Sequence, residues 1–241
     1  MTAPTEPDTL TAVNAEPARE DPAHDRNHDP SMTDAPQSNA FRMHLRTAHG
    51  ATAHSAVPIL VRAFIRTPLA RWLFPTVGER GNGLRTVFAR LIDDTAGNGS
   101  VVLAYQGRTP VGAALWRTCP ARDETDPAAP AFTLDDPGSA RLTELADRHA
   151  HGHPPEPHEC LLALAVVPGR EWQGIAGTLL ASTTTRPGTS RFVLTPGLVR
   201  DLLHQLGYQP CGEEITLPDD GPTLHPFWLA VPALQPKETK R

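Results

Sequence analysis

The stretch Glu159-Cys-Leu-Leu-Ala-Leu-Ala-Val-Val-Pro-Gly-Arg-Glu-Trp-Gln-Gly-Ile-Ala-Gly-Thr-Leu-Leu180 decides the reading of this chain. An apolar run ends at Pro168-Gly169, crosses a short polar turn and resumes as a helix at Gly174. The spacing predicts a strand, a loop and a helix N-terminus placed end to end. The near-continuous hydrophobicity from Cys160 to Val167 predicts a strand buried on both faces, at the centre of a sheet. The first turn of a helix leaves N–H groups without intrahelical partners and carries partial positive charge, so it attracts anions. Gly174 and Gly177 clear side chains from where such an anion would approach the backbone.

Working outward, residues 1–40 are predicted to be a disordered acidic tail, rich in Ala, Pro, Thr and Asp and without periodicity, and Met32 is an alternative start. Ordered structure is expected over 41–241. Phe41 to Arg46 alternates as a half-buried strand, and 51–66 carries Val57, Leu60, Val61 and Phe64 at helical spacing. Pro68 to Phe74 reads as a short helix between prolines, and a longer helix with Leu84, Val87, Phe88, Leu91 and Ile92 on one face runs to Asn98-Gly99. Val101–Tyr105 and Val111–Trp116 flank a Gln106-Gly107-Arg108 turn as a hairpin. A polar, proline-rich excursion follows, with one helix from Ala140 to His149. After the central strand come a helix from Gly174, a strand Arg191–Leu194, a helix Val199–Leu206 stopped by Gly207, and a closing hairpin around Asp219-Asp220-Gly221.

Composition excludes several classes. The net charge of −5 argues against nucleic-acid binding, which needs a basic face. No apolar run approaches the ~20 residues that cross a bilayer, and the acidic N-terminus lacks the apolar core of a secretory signal. Cys119, Cys160 and Cys211 form no CxxC pair, and three free thiols suit a reducing cytoplasm. His149, His151, His153 and His158 invite a metal reading, but no helical HxxxH register is present and no metal site is expected.

The element order and its local motifs resemble the GNAT acetyltransferase superfamily. His158-Glu-Cys-Leu-Leu-Ala-Leu-Ala-Val-Val-Pro168 resembles the HxYLxxLAVxP strand of bacterial members, and Gly112-Ala-Ala-Leu-Trp116 resembles their GAALW strand. Ala63 to Pro75, Leu206-Gly207-Tyr208 and the closing Gly221-Pro222 to Pro232 resemble further segments, in the family's order over residues 41–233. The puromycin N-acetyltransferase-like branch is the nearest resemblance. It implies an α+β fold of α/β/α layers, a mixed, mostly antiparallel sheet splayed at its centre with helices on both faces. It also implies acetyl-CoA as co-substrate and a small-molecule primary amine as acceptor, an antibiotic or specialised metabolite among the options, in a bacterial monomer or homodimer with neither nucleic-acid nor membrane partners.

By this resemblance Leu164, Ala165, Val166 and Val167 line the pantetheine arm, the Val166 N–H faces the thioester oxygen, and Arg170, Trp172, Gln173, Gly174, Ile175, Ala176 and Gly177 cradle the pyrophosphate. Physically, an amide-bearing arm pairs with an exposed strand edge and a pyrophosphate needs a nest of N–H donors. Glu159 and His158 are candidate bases for the incoming amine, or a solvated strand start. Trp116, Cys160 and Leu203 are candidate substrate-pocket residues, with core packing the alternative for Trp116 and Cys160. Asp123, Glu124, Asp126, Asp135 and Asp136 form either an acidic rim for a cationic amine or a solvated loop.

Two departures stand out. Glu171 occupies a place where relatives carry Gln or Arg, and Leu203 and Val199 replace the usual catalytic tyrosine and its preceding asparagine. These leave open a degenerate acyl-CoA-binding module with a regulatory or scaffolding role, and an acyltransferase with another donor or acceptor.

Overall fold

The computed structural model describes residues 43–121, 138–171, 173–182 and 188–230. The acidic segment 1–40, Trp172 and the acidic residues between 123 and 136 lie outside them. Strand β1 (Met43–Ala48) leads through a 3-10 turn into α1 (Ala56–Phe64), then α2 (Pro68–Leu73) and α3 (Val77–Asn98). Strands β2 (Gly99–Gln106) and β3 (Thr109–Cys119) form a hairpin. Helix α4 (Gly138–His151) precedes β4 (His158–Val166), followed by α5 (Ile175–Ala181), β5 (Ser190–Thr195) and α6 (Arg200–Gln205). The short β6 (Gln209–Pro210) and β7 (Ile215–Thr216) and the longer β8 (Thr223–Leu229) close the fold.

Local chemistry sets these boundaries. The Thr67 hydroxyl accepts the Ala70 N–H at 3.2 Å as the N-cap of α2, and Pro68 sits at its first turn. The face of α3 that carries Leu84, Val87, Phe88 and Ile92 is buried, as its spacing predicts. Gly207 takes a φ of 87° after α6, the left-handed C′ position for which glycine has no steric penalty.

The sheet order is β1-β2-β3-β4-β5-β8-β6, with β7 paired to β8. Every pairing is antiparallel except β4 with β5. The expected mixed, mostly antiparallel sheet with β4 near its centre is therefore observed. Two apolar layers form on its faces. Leu60, Phe88, Leu103 and Leu115 pack with α1, α2 and α3 on one side, joined by Leu142 of α4. Ile175, Leu179, Leu203, Trp116 and Phe227 pack with α5 and α6 on the other. Among the described residues no helix is long and apolar enough to cross a membrane.

Candidate active site

Strands β4 and β5 pair in parallel only where His158–Leu161 faces Ser190–Val193. Beyond Leu161, β4 stays paired to β3 as far as Gly112 opposite Val166, but has no partner toward β5. The Val167 N–H donates to Val111 O at 2.9 Å. Backbone groups alternate sides along a strand, so Ala163, Ala165 and Val167 turn their amides toward β3, and Leu164 and Val166 turn theirs into the opening. Unpaired amide groups inside a sheet ask for a ligand that completes the ladder.

The loop that follows is held by its own contacts. Arg170 N–H donates to Val167 O at 3.1 Å and Gln173 N–H to Arg170 O at 3.3 Å. Gly174 caps α5 in the left-handed region, φ 72°, with open space where a Cβ would stand. Arg170 donates to the Gln106 side-chain carbonyl, and Gln106 Nε2 donates to Gln173 Oε1 at 2.7 Å, so the loop is tied to the β2–β3 hairpin. Glu171 folds back, and its carboxylate accepts the Gly169 N–H at 2.8 Å. Hydrogen bonds from its own and Gly169's backbone hold that carboxyl below its ordinary range. Ile175 is buried beneath the loop; Ala176 and Gly177 are half-buried on α5.

The two base candidates point to opposite faces, because successive residues of a strand must. Neither is a solvated strand start: His158 is 1% exposed and Glu159 2%. Glu159 lies opposite Arg191 in register and pairs with its Nε at 3.5 Å. Arg191 donates from its two Nη atoms to Leu180 O at 2.7 Å and Ser182 O at 2.6 Å, capping the end of α5, and lies 5.1 Å over the Trp116 ring. This is a structural ion pair with its hydrogen-bonding capacity directed at a helix C-terminus.

On the opposite face a cavity of about 150 Å³ lies between α1, α2, α3, α4 and the parting strands. Leu162 and Leu194, the residues just past the last β4–β5 pair, form its wall at the opening. The rest is apolar apart from Arg117 and His149. Trp116 and Leu203 do not line it; both are buried in the core beneath α5 and α6.

No family model matches the chain, and no curated protein matches it in sequence. Solved structures do match. An acetyltransferase from Corynebacterium glutamicum, described as histone acetyltransferase HPA2 and related acetyltransferase, is 22% identical with a TM-score of 0.57, over 81% of this chain and 98% of that one. A putative arylalkylamine N-acetyltransferase of the yellow fever mosquito is 13% identical with a TM-score of 0.54, over 78% and 86%. An agmatine N-acetyltransferase is 14% identical with a TM-score of 0.50, over 78% and 98%. The fold is that of the GNAT acetyltransferases.

Within this GNAT fold, Cys160 faces away from the Glu159 side. It joins His158 on the face that packs against α4, where its Sγ lies 3.4 Å from His149 Nε2. Burial brings the His149 imidazole down to about 4, so it is neutral at physiological pH. Cys119 lies directly opposite His158 on β3. Three of the four histidines flanking β4 thus meet two of the three cysteines. The sequence did not show this because the β3–β4 register and the end of α4 bring them together.

Two further groups escaped the sequence reading. Arg117, near the end of β3, is the cation among the described residues that line the cavity. Tyr208, read only as part of the Leu-Gly-Tyr turn, is buried with its hydroxyl near the Arg191 guanidinium. Burial pushes this phenol up, offset in part by the Arg191 guanidinium. The signal for it was an aromatic directly after a helix-stopping glycine.

Proposed function

We propose that the chain is an N-acyltransferase that moves an acetyl group from acetyl-CoA to a small, largely apolar primary amine. The observation that carries the reading is the parting of β4 from β5, which turns the amides of Leu164 and Val166 into an opening continuous with the Gly169–Gly174 loop. These residues suit acetyl-CoA: a strand edge for the arm's amides, and a loop without a Cβ at Gly174 for the pyrophosphate. Arg170 and Gln173 lie beside that loop as polar partners, with Ile175, Ala176 and Gly177 as the first turn of α5.

Acetyl-CoA, when bound, supplies an activated acyl carbon. The Val166 N–H faces the place where negative charge develops on the acyl oxygen. The cavity holds the acceptor. Its apolar wall and the Arg117 cation both disfavour an ammonium, so they lower the acceptor's pKa and present it as the neutral nucleophile. The C–N bond forms as the C–S bond breaks, the amine proton leaves to water, and the thiolate is protonated by solvent because Leu203, 0% exposed, offers no phenol.

Among the described residues no carboxylate lines the cavity, and that lining suits an alkyl or arylalkyl amine better than a polycation. A role in antibiotic modification, and the puromycin-like branch, rest on sequence motifs alone. Titration calorimetry with acetyl-CoA, then thiol release across arylalkylamines, polyamines and nucleoside antibiotics, tests the reading. Binding with release on arylalkylamines supports it. Release on polyamines alone overturns the acceptor assignment. Binding without release favours a second reading, an acyl-CoA-binding module without turnover, which the Glu171 carboxylate over Gly169 N–H and the buried Leu203 motivate.

A further inference from the structure

Behind the cavity wall, five thiol and imidazole side chains converge from four parts of the chain. His158 and Cys160 stand two residues apart on one face of β4, with Cys119 across from His158 on β3. His149 comes from the last turns of α4, and His153 from the segment returning to β4. The ligand atoms of Cys119, His153 and His158 lie within 4.8 Å of one another, as do those of His149, His153 and Cys160, so His153 belongs to both groups.

The His158 ring is set for ligation. Its Nδ1 lies 2.7 Å from Glu156 O, and a carbonyl only accepts, so the proton is on Nδ1. That leaves the Nε2 lone pair, buried beside the Cys119 thiol and without an N–H or O–H partner. An imidazole that donates one N–H to a backbone carbonyl and aims the other nitrogen inward is the usual posture of a metal ligand. Packing of the three histidine rings around Phe192 accounts for their burial. It does not account for two thiols and two further imidazoles gathered around His153.

We propose that Cys119, His153 and His158 bind a zinc ion, with Cys160 of the adjoining His149–His153–Cys160 group swinging in as the fourth ligand. Two thiolates and two imidazoles, with no carboxylate in either group, select a soft, tetrahedral divalent ion over magnesium or calcium. Zinc bonds of about 2.0–2.3 Å place tetrahedral donors about 3.3–3.8 Å apart, so the donors draw together on binding and Cys160 closes the gap between the two groups. Zinc displaces the thiol protons, leaving Zn²⁺ with two thiolates and two neutral imidazoles, a site of zero net charge. His149 contacts Cys160 and also lines the cavity, so the site adjoins the cavity wall. The ion pins the end of α4 and the 152–157 segment to the sheet. This proposal stands independently of acyl transfer.

The test uses the full chain, reduced and stripped of metal, titrated with Co²⁺ and then Zn²⁺. The expected result is one Co²⁺ per chain, with intense thiolate-to-cobalt charge transfer and tetrahedral visible bands that Zn²⁺ abolishes. Zinc should also raise the thermal midpoint. Cys160 is fully buried, so Cys119→Ser, at the half-buried end of β3, is the variant most able to fold, with His158→Gln as the second and circular dichroism as the check. Each should weaken zinc binding tenfold or more, and Cys119→Ser should cut the charge-transfer band by half. A cobalt spectrum without thiolate bands in the reduced wild-type chain overturns the proposal. So does an unchanged spectrum in both folded variants, or a Cys119–Cys160 disulfide in protein that takes up no metal when reduced.

Discussion

Arg191 holds a carboxylate, an indole face and two helix-terminal carbonyls at once. Removing one partner of a buried ion pair strands the other charge. Arg191→Leu is therefore expected to lower unfolding free energy by ~3–5 kcal/mol in urea melts, and a Glu159→Met, Arg191→Leu double variant to recover part of that loss. Glu159→Gln should lower stability while leaving kcat of the remaining folded enzyme unchanged; a fall in kcat at unchanged stability would restore Glu159 as the base. Glu171 makes the opposite kind of prediction. Its carboxylate lies over an N–H that an incoming phosphate would use, so Glu171→Gln should tighten acetyl-CoA by about fivefold, by calorimetry at low salt. The candidacy of Glu159 was legible in the sequence as a charge at the start of a buried strand. Its partner was not, because a parallel neighbour is fixed by register across the sheet and leaves no local trace.

Helix α5 sits against β3 so closely that a Cβ at Gly112 would come 2.8 Å from Ile175 Cγ2 and 3.0 Å from Leu179 Cδ1. Gly112→Val should push α5 outward, cost ~1–3 kcal/mol by overpacking, and weaken acetyl-CoA binding along with stability, measured together by thermal melts and calorimetry. Elements of this kind were legible because periodicity and punctuation both marked them. The apolar run of β4 gave its central place, Pro68 gave the start of α2, and Gly207 gave the stop of α6. Site residues that depend on which face an element presents were read less well. Trp116 closes an apolar strand, and nothing in Gly-Ala-Ala-Leu-Trp says whether its ring turns toward α5 or toward the cavity; the irregularity between Leu115 and Trp116 in the pairing with β4 shifts the register at that position. Cys160 and His158 were singled out, but their common partner Cys119 sits beyond the hairpin and α4.

For the molecule as a whole, the cavity and the strand opening meet at Leu162 and Leu194, so acceptor size and donor binding should separate experimentally. Leu145→Trp, from α4 into the cavity, is expected to lower kcat/KM for arylalkylamines tenfold or more, about 1.4 kcal/mol, and to leave the acetyl-CoA Kd within about twofold. Overall architecture was the most legible level, because element order alone restricts a chain to few topologies. The cavity was the least, since it is the space left where α1 to α4 meet a sheet that divides. That division has a consequence of its own. The backbone ladder joining β5, β8, β6 and β7 to the rest of the sheet runs only through His158–Leu161 and Ser190–Val193. Amide hydrogen exchange should therefore resolve two cooperative units, the C-terminal strands releasing their deuterium protection earlier than β1 to β4. A ligand that bridges the gap would make the two exchange as one.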